Sequence, residues 1–344
     1  MNGKSAYSQA GVNIDEGDRF IQMVRQHIAQ AWPGMEKEIG GFAGEVNIPL
    51  MVTRGSFSTD GVGTKLIIAA IANNFAGVGY DAVAMSVVDN YVAGLRPKYV
   101  LDYFATGKLI ASKHIAIVDS VIEACQLAQC KLIGGETAEM PRFFRHDWFV
   151  DLVTFSVAFD NRPVELSVIR PGQKVFALPS FGLASNGYSL VRNVFGLTGA
   201  PSVARRKLFD KRIFGRPLQE VLLEPTPIWI QAIEDERQRG LQLSGMVHIT
   251  GVGLVDNPPR VLPDDMKMII DRATWRRPEI FGYIQERHNI SVPDMDRTFN
   301  NGLMMLCILD SDSYLPANSD FKEVGVIELR SDNEPQVQLI GNYQ

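Results

Sequence analysis

Cysteine is scarce in this sequence. Three occur in 344 residues, and the odd count excludes a disulfide framework as the source of stability. Cys125 and Cys130 stand five apart and no Cys-x-x-Cys pair occurs, which excludes a thiolate zinc site, so all three are read as buried thiols. No apolar run reaches the roughly 18 residues that a membrane helix requires. The opening MNGKSAYSQAG lacks the basic-then-apolar order of a secretory signal, so a cytoplasmic protein is expected. A basic surplus is missing too. Lys and Arg total 34 against 39 Asp and Glu, and no stretch is strongly basic, which argues against a nucleic-acid surface. Any anionic ligand must be held by a few local cations and backbone N–H groups.

What remains is an ordinary globular balance, 46% apolar and 21% charged, long enough for about two domains. Asp15–Trp32 reads as a helix, with Phe20, Val24, Ile28 and Ala31 at helical spacing and Asp15 as its cap. Ser112–Gln129 reads as a second helix capped by Ser112, and Pro227–Arg239 as a third. Strand-like runs cover Ala82–Val88, Tyr99–Phe104, Leu152–Phe159, Lys174–Leu178, Met246–Ile249, Lys267–Ile270 and Leu303–Leu309. Several are continuously apolar, as strands covered on both faces would be. The stretch Asp160–Gly172 holds two prolines between two such runs and marks the boundary of two domains, 1–165 and 166–344, in an α+β or mixed α/β protein.

Glycine-rich segments concentrate the chemistry. In Thr59-Asp60-Gly61-Val62-Gly63-Thr64-Lys65, two glycines allow backbone N–H groups to approach an anion, Lys65 could neutralise phosphate and Asp60 could hold a cation. The Walker spacing is absent, and an ordinary strand-to-helix turn accounts for the segment equally well. Asp89 follows an apolar run, at the sheet edge where ligands bind or as a helix cap. Gly134-Gly135-Glu136-Thr137-Ala138-Glu139 spaces two acids along a loop, which suits Mg²⁺, although a solvated turn would look the same. Asn186 and His248 each lie close to glycines in the second half. His248 could act as acid or base, but a lone His on a strand is more often structural. Gly40–Gly44 reads as a flap or as a plain loop.

In order and interval these segments resemble the aminoimidazole ribonucleotide synthetase family, also called phosphoribosylformylglycinamidine cyclo-ligases. The likeness is carried by Ala10-Gly11-Val12, Gly40-Gly41-Phe42, Asp60–Lys65, Leu101–Leu109, Gly134–Pro141, Ser185–Arg192, Glu224-Pro225-Thr226, His248–Gly251 and Thr298–Asn300. The resemblance implies two α/β domains per subunit and a homodimer whose N-terminal sheets pair into a barrel. It implies ATP-dependent ring closure of formylglycinamidine ribonucleotide to aminoimidazole ribonucleotide, ADP and phosphate. Phosphorylation turns the formyl oxygen into a good leaving group, and such transfer needs positioning and charge neutralisation above all. The resemblance then implies Asp60, Asp89 and Glu136 as Mg²⁺ ligands. Gly61, Gly63, Thr64 and Lys65 would lie near phosphates, with Asp102, Gly134 and Gly135 in the nucleotide site. Asn186 and His248 would face the substrate.

The match departs at Ala184, where the family carries a His at the reaction centre, and at Val88, Val252 and Asn301. His146 is a further acid–base candidate in the loop after Glu136. Selenophosphate synthetases share the architecture but use a reactive residue near the N-terminus, whereas the first Cys here is Cys125.

Overall fold

Each half of the chain builds one sheet. The structure, a computed structural model, describes residues 14–35, 46, 48, 52, 54–310, 313, 315–316 and 319–344. The Ala10–Val12 and Gly40–Gly44 segments lie outside the described residues.

In the first half, α1 (Ile14–Ala31) precedes β1 (Gly55–Gly61), α2 (Lys65–Ala72), α3 (Val78–Val92), β2 (Leu95–Thr106), α4 (Ala111–Leu127), β3 (Lys131–Glu139) and β4 (Val150–Pro163). The sheet order is β1-β4-β2-β3, with β2 and β3 parallel and β4 antiparallel to both its neighbours. Alternation sorts its faces. Leu152, Thr154, Ser156 and Ala158 of β4 are buried, and α3 lies against them. Thr154 Oγ1 donates to the Ala82 carbonyl at 2.8 Å, and Ser156 Oγ donates to that of Ser86 at 2.8 Å. The opposite face is open, with Phe57 76% and Phe155 44% exposed.

The second half contains β5 (Lys174–Pro179), α5 (Tyr188–Val194), α6 (Val203–Phe209), a two-residue hairpin β6–β7 (Arg212–Ile213, Arg216–Pro217), α7 (Leu218–Leu222), α8 (Ile230–Gln238), β8 (Leu243–His248), α9 (Gly253–Asp256), β9 (Met266–Asp271), α10 (Glu279–His288), α11 (Val292–Thr298), β10 (Leu303–Leu309), β11 (Lys322–Leu329) and β12 (Val337–Ile340). Its six-stranded sheet runs β12-β9-β11-β5-β10-β8. One apolar cluster joins helices α2–α4 to residues of β8 and β10, while a second covers the rest of the larger sheet. The three cysteines are free and buried.

Four local expectations need correction. Gly134–Glu139, read as a loop, is the C-terminal part of strand β3. Ala82–Val88 is not a strand but the middle of α3, whose residues 81–88 are all buried. A helix covered on every side has no polar stripe, so its apolar run imitates a buried strand. Helix α1 starts at Ile14, which puts Asp15 within its first turn. Helix α4 starts at Ala111 rather than after Ser112, and its first N–H is met by Glu16 Oε1 of α1 at 2.7 Å. That cap comes from a distant residue and leaves no local signature.

Candidate active site at the seam between the halves

The turn from β1 into α2 behaves as its glycines require. Gly63 has φ +69°, the left-handed region that glycine enters without strain. Thr64 then starts the helix, its Oγ1 3.4 Å from Ser189 Oγ of the second half. Asp60 is exposed, and its Oδ1 accepts the Gly61 N–H at 2.7 Å.

Lys65 does not reach toward a phosphate. Its side chain is 0% exposed. Nζ lies 2.8 and 2.7 Å from the two carboxylate oxygens of Asp81, and donates to the carbonyls of Ala184 at 3.0 Å and Glu224 at 2.7 Å. Asp81 Oδ1 also accepts from Thr226 N–H at 3.0 Å and Thr226 Oγ1 at 2.7 Å. Burial pushes the lysine ammonium down and the Asp81 carboxyl up, and each charge opposes the other's shift. Three carboxylate and carbonyl partners use all of the ammonium's donors. Where the resemblance implied a place near phosphates, the structure shows Lys65 bridging the two halves through Asp81, Ala184 and Glu224. Ala184, which it holds, adopts φ +54° with its methyl buried in the core. The position where the family carries His is here a packing position.

Asp81 is a residue that sequence reasoning missed. So is Glu234, buried on α8, which accepts from Tyr91 Oη of α3 at 2.6 Å and pairs with Arg96 and Arg237. An acid inside an apolar helix signals a buried cation, since such acids are almost never fully buried unpaired.

His248 ends β8 and is 3% exposed. Its Nδ1 lies 2.9 Å from Asp89 Oδ1, while Nε2 is sealed from water without a hydrogen-bond partner. Asp89 sits in the last turn of α3, 46% exposed, with Oδ2 3.4 Å from Ser58 Oγ. Asn186 Nδ2 is another buried polar atom without a partner. The Asn186 amide oxygen is 3.2 Å from where a Cβ on Gly251 would stand, three residues beyond His248. A buried donor or acceptor left unpaired costs about 1–3 kcal/mol, which makes these two atoms candidates for a ligand.

Across the first sheet, Asp60, Thr154, Asp102 and Gly135 form one row. They share the helix-facing side, because directly paired residues point the same way. A Cβ on Gly135 would stand 2.0 Å from Asp102 Oδ1, so only glycine leaves room for that carboxylate. Burial pushes the Asp102 carboxyl up to about 7, and Glu136 adds to the rise. Glu136 pairs with Tyr103 on the open face, as Gly134 does with Leu101. Asp60 and Glu136 thus lie on opposite faces of the sheet, and Asp89 is engaged by His248. Among the described residues no group of three His, Cys, Asp or Glu could hold a metal ion. The expected triad of Asp60, Asp89 and Glu136 is not assembled. His146 stacks on Trp148 with ring centroids 5.5 Å apart and on Phe149 at 5.7 Å, and serves packing.

The family models for AIR synthase related proteins match this chain twice, the N-terminal domain over residues 51–157 and the C-terminal domain over 170–329. A phosphoribosylformylglycinamidine cyclo-ligase of Caldanaerobacter subterraneus is 40% identical over 336 residues, covering 93% of this chain and 94% of that protein. The enzyme of the same name from Magnetococcus marinus is 38% identical, covering 97% and 92%. Among solved structures, E. coli HypE, a hydrogenase maturation protein, superposes with a TM-score of 0.59 at 17% identity, covering 94% of each chain. Thiamine monophosphate kinase of Aquifex aeolicus gives 0.55 at 18%, covering 84% and 88%, and the fold is common to all of them. The chain belongs to the AIR synthase related family, with both of its domains.

Proposed function

We propose that this protein closes the imidazole ring of aminoimidazole ribonucleotide, using ATP and formylglycinamidine ribonucleotide in purine biosynthesis. The name shared by the cyclo-ligases at about 40% identity supports the reading. The observation in the molecule that supports it is the pair of unpartnered polar atoms, His248 Nε2 and Asn186 Nδ2, on residues of the matching motifs. ATP phosphorylates the formyl oxygen. The attacking nitrogen forms the C–N bond and gives up its proton, and the C–O bond breaks with its electrons leaving on phosphate. His248 Nε2 accepts the proton, and Asn186 Nδ2 donates to the substrate. Gly63 and Thr64 offer backbone N–H groups toward ATP beside Gly61, whose own N–H is taken by Asp60, while Asp102 and Gly135 line the row beside it, next to Gly134.

The three-acid Mg²⁺ set does not fit within one subunit. Asp60 is the exposed carboxylate in the nucleotide row, and Mg²⁺ commonly needs only one or two carboxylates when phosphates complete its shell. We assign Asp60 as the protein's ligand for an ion that arrives with ATP and neutralises its phosphates.

The open sheet face bearing Phe57 and Phe155 supports a homodimer built by pairing N-terminal sheets. Light scattering that returned a monomer would refute that. The separation of β1–β4 from β5 and β8–β12 supports a division at 165/166. No described helix is long and apolar enough to cross a membrane, in keeping with a cytoplasmic enzyme.

The test is turnover of formylglycinamidine ribonucleotide with ATP and Mg²⁺, scoring aminoimidazole ribonucleotide and ADP separately. Both products in equal amounts are expected. ADP alone, or neither product from folded protein, would leave the chain a nucleotide-binding relative without ring closure.

A further inference from the structure

We propose that the cavity between the hairpin β6–β7 and the start of α10 binds a nucleoside monophosphate, at a site separate from the residues assigned to ring closure. The inference goes beyond the ring-closure reading and does not rest on it.

The cavity holds about 310 Å³, at the small end of the roughly 300–1,000 Å³ of ligand pockets, which suits one ring system with one anionic group. Phe181, Phe214, Arg216, Arg276, Arg277 and Glu279 line it together with apolar side chains. None of Asp60–Lys65, Asp102, Asn186 or His248 is among its lining residues.

Two phenyl rings form its aromatic part. Phe181, just after β5, is 57% exposed, and Phe214 is 39% exposed. Phe181 leans on Trp229 with ring centroids 6.1 Å apart, and Phe214 meets Tyr283 edge-on at 5.9 Å. Each ring is braced by a second aromatic residue and keeps area free for a planar ligand. Phe214 is also held against its backbone preference. It is the first of the two residues joining β6 to β7, with φ +52°, and Gly215 follows at +75°. Two positive φ values in succession make the hairpin turn that Asn-Gly fills best, and a bulky residue in the first place is unfavourable. A ligand stacked on the ring supplies the contact that its exposed part lacks.

The charges select the ligand. Arg216 is already matched by Glu224 Oε2 at 2.6 Å and Glu220 Oε2 at 3.7 Å. Arg276 is exposed and stands 3.6 Å from Glu279 Oε1, a loose surface pair worth little. Arg277 lies over the Tyr343 ring, 4.2 Å from its centroid, and donates to Gln285 Oε1 at 2.9 Å. Arg276 and Arg277 together outweigh Glu279 by one positive charge, in a chain whose net charge is −5. Residues of the first turn of α10 line the same cavity, and N–H groups at a helix start add to the attraction of an anion. A guanidinium can take phosphate oxygens in pairs, and a base stacks on phenyl. One surplus charge and this volume suit one phosphate, not three.

The test is calorimetric titration of AMP into the full-length protein in the presence of AMPPCP, an ATP analogue that occupies an ATP site. Wild type is expected to bind one AMP per chain, about tenfold or more tightly than adenosine or inorganic phosphate. Arg276→Ala should weaken AMP by about tenfold. Phe214→Asn should weaken it to a similar degree while its melting temperature holds or rises, because Asn accepts the left-handed backbone. A residue that only packs would not lose binding while stability is kept. Excess formylglycinamidine ribonucleotide should leave AMP bound. Absence of AMP binding beside AMPPCP would overturn the proposal. So would displacement of AMP by formylglycinamidine ribonucleotide, or AMP binding that both substitutions leave untouched. The titration needs no turnover, so its outcome is independent of the ring-closure assay.

Discussion

Two acid–base pairs stand at the seam between the halves of this molecule, and they are built on opposite plans. Lys65–Asp81 is fully buried, and of its polar atoms only Asp81 Oδ2, 2.7 Å from the ammonium, makes no hydrogen bond. Its ammonium has three partners, and its carboxylate takes two further bonds from Thr226. His248–Asp89 has one short contact, one partner half in solvent and one ring nitrogen with nothing to bond. A cation so saturated has no donor left for a ligand, whereas an unsaturated pair gives up stability to keep an atom available. On the reading proposed here, saturation of the cation, more than charge or proximity to glycine, separates the two pairs.

The sharpest way to break the comparison is to remove one partner of each. Lys65→Met leaves Asp81 buried without its cation, and breaking such a pair costs about 3–5 kcal/mol. Most of the protein is expected to lose cooperative thermal unfolding or to unfold at a much lower temperature. The double variant with Asp81→Asn, whose amide oxygen still accepts from Thr226, should recover part of that loss. A Lys65→Met protein as stable as wild type but unable to use ATP would return Lys65 to the phosphates. His248→Gln should do the reverse. Its melting temperature should stay close to wild type while turnover falls by about 10²–10⁴-fold. Equal losses of stability and activity would erase the distinction.

The contrast also explains what could be read in advance. Tyr99–Phe104, Leu152–Phe159, Lys174–Leu178, Met246–Ile249, Lys267–Ile270 and Leu303–Leu309 all fall in or against strands, because short apolar runs between turn signals are local features. Ala82–Val88 failed, because burial on every side erased its helical period. Asp60, Gly63, His248 and Asn186 stand where their motifs suggested, beside turns. Lys65 misled because its partners are nonlocal. Asp81 is 16 residues away, and Ala184 and Glu224 are 119 and 159 away. The one available clue was Asp81 itself, a lone acid at the head of the apolar run of α3. Glu136 misled for a simpler reason. Strand alternation turns it to the face opposite Asp102, and that alternation becomes meaningful only once the register is known.

Asp102 lies between the two plans and gives the finest test. It is half-buried beside Gly135, lacks a paired cation among its shift-determining neighbours, and has its carboxyl pushed up to about 7 by burial. In the unfolded chain the same group titrates near its ordinary value of 3.8. Between about pH 4 and pH 7 the folded state therefore holds a proton that the unfolded state has released. The contribution of Asp102 to stability is present below that window and is lost as pH rises through it. Asp102→Asn cannot ionise, so it should escape the loss. The melting temperature of the variant minus that of wild type should climb from pH 4 to pH 7 and level off above. Subtracting the two curves cancels every other titrating group. A difference that stays flat across the window would mean the carboxylate is already ionised and solvated in the folded protein, and Asp102 would then belong with the exposed Asp60 rather than between the two pairs.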